Sequence, residues 1–226
     1  MILASRSPQR RAILEQLGIP FEVRIAEVDE LGEGPPDEVV AENAYRKAAA
    51  VAGLARADGA DGADGADGAD GADGAGGADG ADGAGGADAP VVEGTPDATD
   101  ELVLGVDTIV TLGGRIYGKP GDVEDARSTL RTLAGRRHAV LSGVCLIEGP
   151  RVRTAVSTTL VELRALDEAL IDWYLATGEW SGRAGGYAIQ GRGAALVRRI
   201  EGDYLNVVGL PVALLLELAP ELLWGG

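Results

Sequence analysis

Residues 185–211 begin with Gly-Gly-Tyr-Ala-Ile-Gln-Gly-Arg-Gly, a run of closely spaced glycines around a single amide side chain. Glycine adopts turn conformations that other residues avoid, and it lets a ligand approach the main chain closely. The pattern predicts tight turns between short strands. Gln190 then stands on the wall of a binding site, where its amide offers both a hydrogen-bond donor and an acceptor.

Outward from this stretch, predicted strands and helices alternate along the chain. Patterns typical of strands occupy residues 1–4, 21–26, 102–112, 115–117, 138–148 and 152–163. Helical patterns occupy residues 8–17, 37 to about 56, 123–134, 167–176 and 211–223. Gly113-Gly114 and Gly149-Pro150 separate strands closely enough for hairpins. Strands that pair by hairpins, with helices between them, favour an α/β fold with helices packed on a mixed sheet.

One segment does not fit this alternation. Residues 57–87 form a near-perfect Ala-Asp-Gly repeat in which no side chain is larger than aspartate. A collagen helix would need proline and a calcium-binding solenoid would need large apolar residues, and the repeat contains neither. Its apolar surface is too small to offset the entropy of ordering, so we predict a disordered loop. The predicted organisation is one domain over residues 1–226, interrupted at about 57–99.

Charge and composition exclude several classes of protein. The formal net charge is −16, but nine aspartates between residues 58 and 88 supply more than half of it. The remainder lacks the clustered Lys and Arg that nucleic-acid binding needs. A single histidine, His138, and no Gly-x-x-x-x-Gly-Lys-Ser/Thr loop argue against a His-based zinc site and a P-loop enzyme. With one cysteine, Cys145, and no apolar run near the roughly 20 residues that span a bilayer, we expect a cytoplasmic protein without a disulfide or a membrane segment.

The N-terminal residues have the pattern of an anion site. Ser7 is placed to cap a helix whose first residue is Pro8, so free backbone N–H groups and the helix dipole face the end of the first strand. Arg10 and Arg11 add forked donors suited to phosphate oxygens. The alternative is an ordinary capped helix with solvated arginines.

Asp107 follows an apolar run in Leu104-Gly-Val-Asp-Thr-Ile-Val110. A carboxylate at the end of a buried strand is costly unless it is paired, binds metal or faces a cleft. The alternative is an aspartate that starts a turn. The first interpretation predicts a functional carboxylate.

Three segments in this order resemble the Maf family of nucleoside triphosphate pyrophosphatases: Leu3-Ala-Ser-Arg-Ser-Pro-Gln-Arg-Arg11, the Asp107 segment and the glycine-rich stretch. The resemblance implies a bent mixed sheet with a cleft between two lobes. It implies hydrolysis between the α- and β-phosphates, giving a nucleoside monophosphate and diphosphate, with Mg²⁺ or Mn²⁺ as cofactor. The implied role is house-cleaning of non-standard nucleotides, with a link to arrest of cell division, and a homodimer is left open.

The resemblance also assigns roles to individual residues. Asp107 is the implied acid-base residue, which accepts a proton from the attacking water directly or acts as a ligand of the metal. Glu30 matches an acidic position near the metal, and its alternative is a solvated loop carboxylate. The implied phosphate-binding residues are Ser5, Arg10, Arg11, Lys47 and Lys119.

Three positions bear on the choice of base. Members acting on dTTP and UTP carry Asp-Thr and Ile-Gln-Gly, as this chain does at Thr108 and Gln190, and an amide suits the imide edge of uracil or thymine. A branch acting on 7-methyl-GTP carries Gln and Glu at these two places. Gln9 departs from both branches, which carry Arg and Trp after Ser-Pro. A pyrimidine substrate is therefore expected, with a broad or 7-methyl-GTP-directed pyrophosphatase as the alternative.

The same phosphate-binding residues would also serve a protein of another class. A nucleotide-binding regulator of cell division that lacks catalysis would also need cationic groups for phosphates. It would not need an acid-base carboxylate beside phosphates that repel it. Asp107 therefore favours the enzyme.

Overall fold

The computed structural model describes residues 1–25, 27–53 and 101–224. The predicted disordered loop at about 57–99 lies outside the described residues. The helix predicted from Asp37 to about Arg56 is described as far as a C-terminal cap at Gly53, which adopts a left-handed conformation.

The described residues form strands and helices in the predicted alternation. The strands are β1 Ile2–Ala4, β2 Glu22–Val23, β3 Val103–Leu112, β4 Arg115–Tyr117, β5 Arg137–Glu148, β6 Arg151–Leu163 and β7 Val197–Glu201. The helices are α1 Pro8–Gln16, α2 Pro36–Ala52, α3 Val123–Leu133, α4 Glu168–Leu175, α5 Tyr204–Val208 and α6 Val212–Leu218, and short 3₁₀ helices span Ala184–Gly186, Arg192–Leu196 and Pro220–Leu223.

The strands form one seven-stranded sheet in the order β2-β1-β3-β5-β6-β7, with β4 paired to β3. β1 runs parallel to β2 and β3, whereas β3, β5, β6 and β7 pair antiparallel in sequence. Both predicted hairpins form, because Gly113, Gly114 and Gly149 have the positive φ angles that such turns require. The mixed α/β fold predicted from the sequence is confirmed.

Two segments differ from the sequence prediction. The glycine-rich stretch forms 3₁₀ turns, the strand β7 and the helix α5 where short strands were predicted, because Asp203 caps a helix by accepting from the Leu205 N–H. The final helix, predicted to reach Leu223, stops at Leu218. Pro220 is the reason, since proline drives the preceding residue, here Ala219 with φ −146°, away from helical geometry.

One edge of β3 is shared by two short strands. β1 pairs with Val103, Leu104 and Gly105, and β4 pairs with Val110, Thr111 and Leu112. The opposite edge of β3 pairs continuously with β5. The shared edge therefore has a gap at residues 106–109. β1 ends beside this gap, and the chain then begins α1.

The backbone of α2 lies directly on the sheet. A Cβ atom on Gly105 would come within 2.2 Å of the Ala44 carbonyl oxygen, and one on Gly143 within 2.2 Å of the Val40 carbonyl oxygen. Small residues on this face of α2, including Ala48, allow the approach. Asp107 lies opposite Gly143 in the register of β3 and β5, so this contact brings the side chains of α2 to Asp107.

We predict that Gly143→Ala destabilises the protein by about 3 kcal/mol, because the new methyl group meets backbone that cannot move without displacing α2. Urea denaturation measures the change. Gly32→Ala is the matched control, since no atom lies within 4 Å of the added Cβ, and it should alter stability by less than about 0.5 kcal/mol. Equal stability of the two variants would contradict the close contact between α2 and the sheet.

Candidate active site

A pocket of about 740 Å³ opens at the gap in the edge of β3. Its walls come from the end of β1 and the start of α1, from the middle of β3, from the loop 27–30, and from residues 182–190. The pocket contains nine of the sequence-predicted residues: Ser5, Gln9, Arg10, Glu30, Lys47, Asp107, Thr108, Lys119 and Gln190.

The first turn of α1 is capped as predicted. The Ser7 hydroxyl accepts from the Arg10 backbone N–H at 3.5 Å and donates to Gln9 Oε1 at 3.1 Å. The Ser5 hydroxyl accepts from the Ser7 N–H at 3.2 Å. The cap lines the pocket, so the N-terminus of α1 points at the space where an anion would bind.

Arg10 is buried and held on three sides. Its Nε donates to the Gly209 carbonyl at 2.8 Å, Nη1 donates to Ser5 Oγ at 2.8 Å, and Nη2 donates to Thr108 Oγ1 at 3.0 Å. Burial lowers the pKa of Arg10, and the nearby carboxylates of Asp107 and Glu30 oppose that shift. A guanidinium carries five N–H groups, so two remain beside the pocket for a ligand. Burial excludes the alternative of a solvated arginine at this position.

Arg11 differs from Arg10. It is exposed and is not among the residues that line the pocket. Successive residues of an α-helix point about 100° apart, so two adjacent arginines face different surroundings. Of these two adjacent arginines, only Arg10 therefore supplies a cation to the pocket.

Asp107 is only 6% exposed and lies in the middle of β3, where the strand continues to Leu112. The interpretation of Asp107 as the start of a turn is therefore wrong. Its Oδ1 accepts from Lys47 Nζ at 2.6 Å, and its Oδ2 accepts from Asn43 Nδ2 at 3.1 Å. Burial acts to raise the pKa of Asp107, but Lys47, Arg10 and Asn43 together outweigh it, and the pKa is lowered. The carboxylate is ionised despite its burial.

Lys47 also contacts Glu30, at 3.0 Å from Nζ to Oε1. One ammonium group therefore joins the two carboxylates that the sequence suggested as metal ligands. The Lys47 side chain is 13% exposed, whereas the Glu30 side chain is 45% exposed. Glu30 thus stands at the mouth of the site and Asp107 at its base.

Asn43 is a site residue that the sequence analysis missed. It is 1% exposed, and besides Asp107 it bonds both the N–H and the carbonyl of Leu31, at 2.7 and 3.0 Å. Arg46 donates to the Asp29 carbonyl at 2.8 Å. Together these bonds attach the loop that carries Glu30 to α2. The available signal was the spacing of Asn43 and Lys47, which are four residues apart and share one helix face.

Known proteins are similar to this chain over nearly its whole length. A family model described as Maf-like protein matches residues 1–222. The chain belongs to the Maf family. A dTTP/UTP pyrophosphatase of Pelotomaculum thermopropionicum is 39% identical over 222 residues, which cover 96% of this chain and 94% of that protein. One from Anaeromyxobacter dehalogenans is 39% identical over 219 residues, covering 94% of this chain and 89% of its own.

A third similar protein covers less of the chain. A dTTP/UTP pyrophosphatase of Pyrococcus furiosus is 49% identical over 118 residues, which are 52% of this chain and 62% of that protein. Within the residues that the structure describes, no helix of this Maf protein has the length and apolarity needed to cross a membrane.

In this Maf protein, Thr108 connects Arg10 to the sheet and to α5. Its hydroxyl lies 2.9 Å from Ser142 Oγ and 3.4 Å from the Gly209 carbonyl, which also accepts from Arg10. Gln190 and Lys119 also line the pocket, and both are exposed. A 3.0 Å bond from the Gly185 N–H to the Gly118 carbonyl joins their two segments.

Arg183 is a second pocket residue that the sequence analysis missed. Its segment is the one that Gly185 joins to the Lys119 turn. Among the described residues, no carboxylate oxygen lies within 4 Å of its guanidinium, and its Nε is buried without a hydrogen-bond partner. The signal in the sequence was a basic residue two positions before the glycine-rich stretch.

The donor set fits a divalent cation bound together with a substrate. No group of three His, Cys, Asp or Glu side chains in the described ranges could hold a metal by itself. The carboxylates of Glu30 and Asp107 already contact one cationic group, the Lys47 ammonium, so they lie close enough to act on the same ion. Mg²⁺ is commonly held by one or two carboxylates plus substrate phosphates, so this pair is sufficient when the triphosphate supplies the remaining ligands.

Tyr187 forms part of the pocket wall and is supported from behind by His138. The two side chains are hydrogen-bonded at 2.8 Å between Nε2 and the phenol oxygen, with their rings edge to face. Burial lowers the pKa of His138 to about 4. The imidazole is therefore neutral in the folded protein at neutral pH.

We predict that His138 makes stability depend on pH between about 4 and 6.5. The unfolded chain binds a proton in this range and the folded protein does not, so the free energy of unfolding falls as the pH drops from 6.5 towards 4, by at most about 3 kcal/mol. His138→Gln removes this titration. Urea denaturation at several pH values should show a shallower decline for the variant, and parallel curves would contradict the prediction.

Proposed function

We propose that this protein hydrolyses nucleoside triphosphates between the α- and β-phosphates, with dTTP and UTP as its preferred substrates. The observation that carries the proposal is an ionised, buried carboxylate, Asp107, in the same pocket as a helix N-terminus and the cations Arg10 and Lys47. The names of the similar proteins support the substrate. The products are the monophosphate and diphosphate, and the role is house-cleaning of the nucleotide pool in the cytoplasm.

Asp107 is the proposed acid-base residue. Its lowered pKa keeps it ionised, so it can accept a proton from the attacking water. Asn43 holds one carboxylate oxygen and Lys47 holds the other, which fixes the orientation of the group before substrate arrives. The bond from Asn43 orients the carboxylate in advance, which lowers the barrier because the group does not have to reorient during the reaction.

The triphosphate is bound by cations and backbone N–H groups. We assign this role to Ser5, Arg10, Lys47 and Lys119, with Arg183 as an addition, because a guanidinium without a carboxylate partner favours an anion. Arg11 is left out because it lies outside the pocket. These groups neutralise phosphate charge in a partly enclosed site, where electrostatic interactions are stronger than in water.

Glu30 and Asp107 are the proposed ligands of a Mg²⁺ or Mn²⁺ ion. When bound, such an ion neutralises triphosphate charge and lowers the pKa of a coordinated water. Asn43 and Arg46 hold the loop of Glu30 near Asp107. The spacing of the two carboxylates is thus set by α2.

Gln190 is the proposed base reader, because it is exposed in the pocket with no hydrogen-bond partner among the described residues. Thr108 contributes indirectly by fixing Arg10. Gln9 favours a second candidate, a pyrophosphatase of broad specificity. It is a neutral side chain at the pocket rim, bonded to Ser7, where the two branches of the family carry Arg or Trp.

We predict that the protein releases diphosphate from dTTP or UTP in the presence of Mg²⁺ or Mn²⁺, and that Asp107→Asn lowers kcat at least ~100-fold with the fold retained. A panel of triphosphates analysed for nucleotide and phosphate products measures both. Asp37→Asn, at an exposed position outside the pocket, is the control. Release of inorganic phosphate alone, or no turnover, would overturn the reaction class.

We predict that Gln190→Glu penalises dTTP and UTP by roughly 1–3 kcal/mol in kcat/KM, because a carboxylate replaces the amide donor and leaves a polar group of the base unpaired. The measurement compares kcat/KM for UTP and GTP. Gln16→Glu, on the exposed end of α1, introduces the same charge outside the pocket. An unchanged UTP/GTP ratio in Gln190→Glu would mean that this residue does not read the base.

A further inference from the structure

Lys47 lies between the two carboxylates that we assign to the metal. Its Nζ is 2.6 Å from Asp107 Oδ1 and 3.0 Å from Glu30 Oε1. We propose that Lys47 is an exchangeable counter-ion, which holds these carboxylates together before substrate binds and competes with the divalent metal for the same two oxygens. The inference rests on the proposed function, because that function supplies the metal.

The Asp107 carboxylate and the backbone of the Glu30 loop are anchored independently of Lys47. Asp107 belongs to the central strand, and its second oxygen is bonded to buried Asn43. The backbone around Glu30 is attached to α2 through Leu31 and Asp29. The ammonium, in contrast, is at the end of a flexible four-carbon chain. When the contact opens, the lysine head is therefore free to move, whereas the Asp107 carboxylate and the backbone of the Glu30 loop keep their anchors.

Charge gives the direction of the effect. The ammonium and two carboxylates together carry one net negative charge, whereas the carboxylates alone carry two. Neutralising Lys47 therefore increases the attraction for a divalent cation and removes a competitor for its ligands. The same change weakens triphosphate binding. A lysine that only maintained the structure would, when replaced, weaken the binding of both.

The displaced ammonium remains inside the pocket. Its side chain is 13% exposed and borders the same cavity as Arg10 and Lys119. Triphosphate oxygens are the anions available to it once the carboxylates are taken. Arrival of the cation thus converts Lys47 from a partner of carboxylates into a partner of phosphates, which couples the binding of metal and nucleotide at one residue.

The test measures Mn²⁺ binding to the full chain without nucleotide, by electron paramagnetic resonance of free Mn²⁺. We expect Lys47→Met to bind Mn²⁺ at least ~10-fold more tightly than the unaltered protein. Lys47→Gln should act in the same direction and serves if the methionine variant does not fold. Mn²⁺ should also raise the Tm of either Lys47 variant more than that of the unaltered protein, because tighter binding gives greater stabilisation.

Controls separate this site from other cation binding. Arg11→Met removes an exposed cation that lies outside the pocket, and it should change Mn²⁺ affinity less than ~2-fold. Asp107→Asn and Glu30→Gln should each weaken binding. The aspartates between residues 58 and 88 are the same in every variant, so differences between variants report on the pocket.

Unchanged or weaker Mn²⁺ affinity in folded Lys47→Met or Lys47→Gln would overturn the proposal. Undiminished binding in both Asp107→Asn and Glu30→Gln would overturn it too, because the metal would then lie elsewhere. Neither measurement uses turnover. A failure of the triphosphate assay with tighter Mn²⁺ binding in the Lys47 variants would therefore reject the proposed reaction and leave the counter-ion exchange intact.

Discussion

The buried charge of Asp107 is the constraint on which the rest of the site depends. A carboxylate in the middle of a central strand must be compensated by cations or hydrogen bonds, since burial alone favours its neutral form. Lys47, Arg10 and Asn43 provide that compensation. They come from two helices on different sides of the strand, so the positions of both helices determine whether Asp107 is ionised.

The positions of those helices follow from simple features of the sheet. Gly105 and Gly143 let the backbone of α2 rest on β3 and β5, which brings Lys47 within reach of Asp107. β1 ends at Ala4, and the gap it leaves along β3 is where α1 begins and where the pocket opens. A short strand and two glycines thus locate both the anion-binding helix and the carboxylate.

The features of the site that could be predicted from the sequence are those that depend on neighbouring residues. Ser7-Pro8 marks a helix start by rules that involve only neighbouring residues, and the cap forms as predicted. Arg10 and Arg11 look alike in sequence, and only the rotation of the helix separates the pocket residue from the exposed one. Asn43 gave little signal, because its partners Leu31 and Asp107 are 12 and 64 residues away. Arg183 reaches the pocket through a loop contact of the same long-range kind.

The sequence alone determined the mixed α/β class, the order of most strands and helices, and the family, because these depend on apolar periodicity, turn residues and short motifs. Tertiary structure decided which cations face the pocket, which oxygen of Asp107 each partner takes, and the contact of Lys47 with Glu30. Those outcomes require segments far apart in the chain to pack at distances of about 3 Å, and no local pattern of residues specifies such a distance.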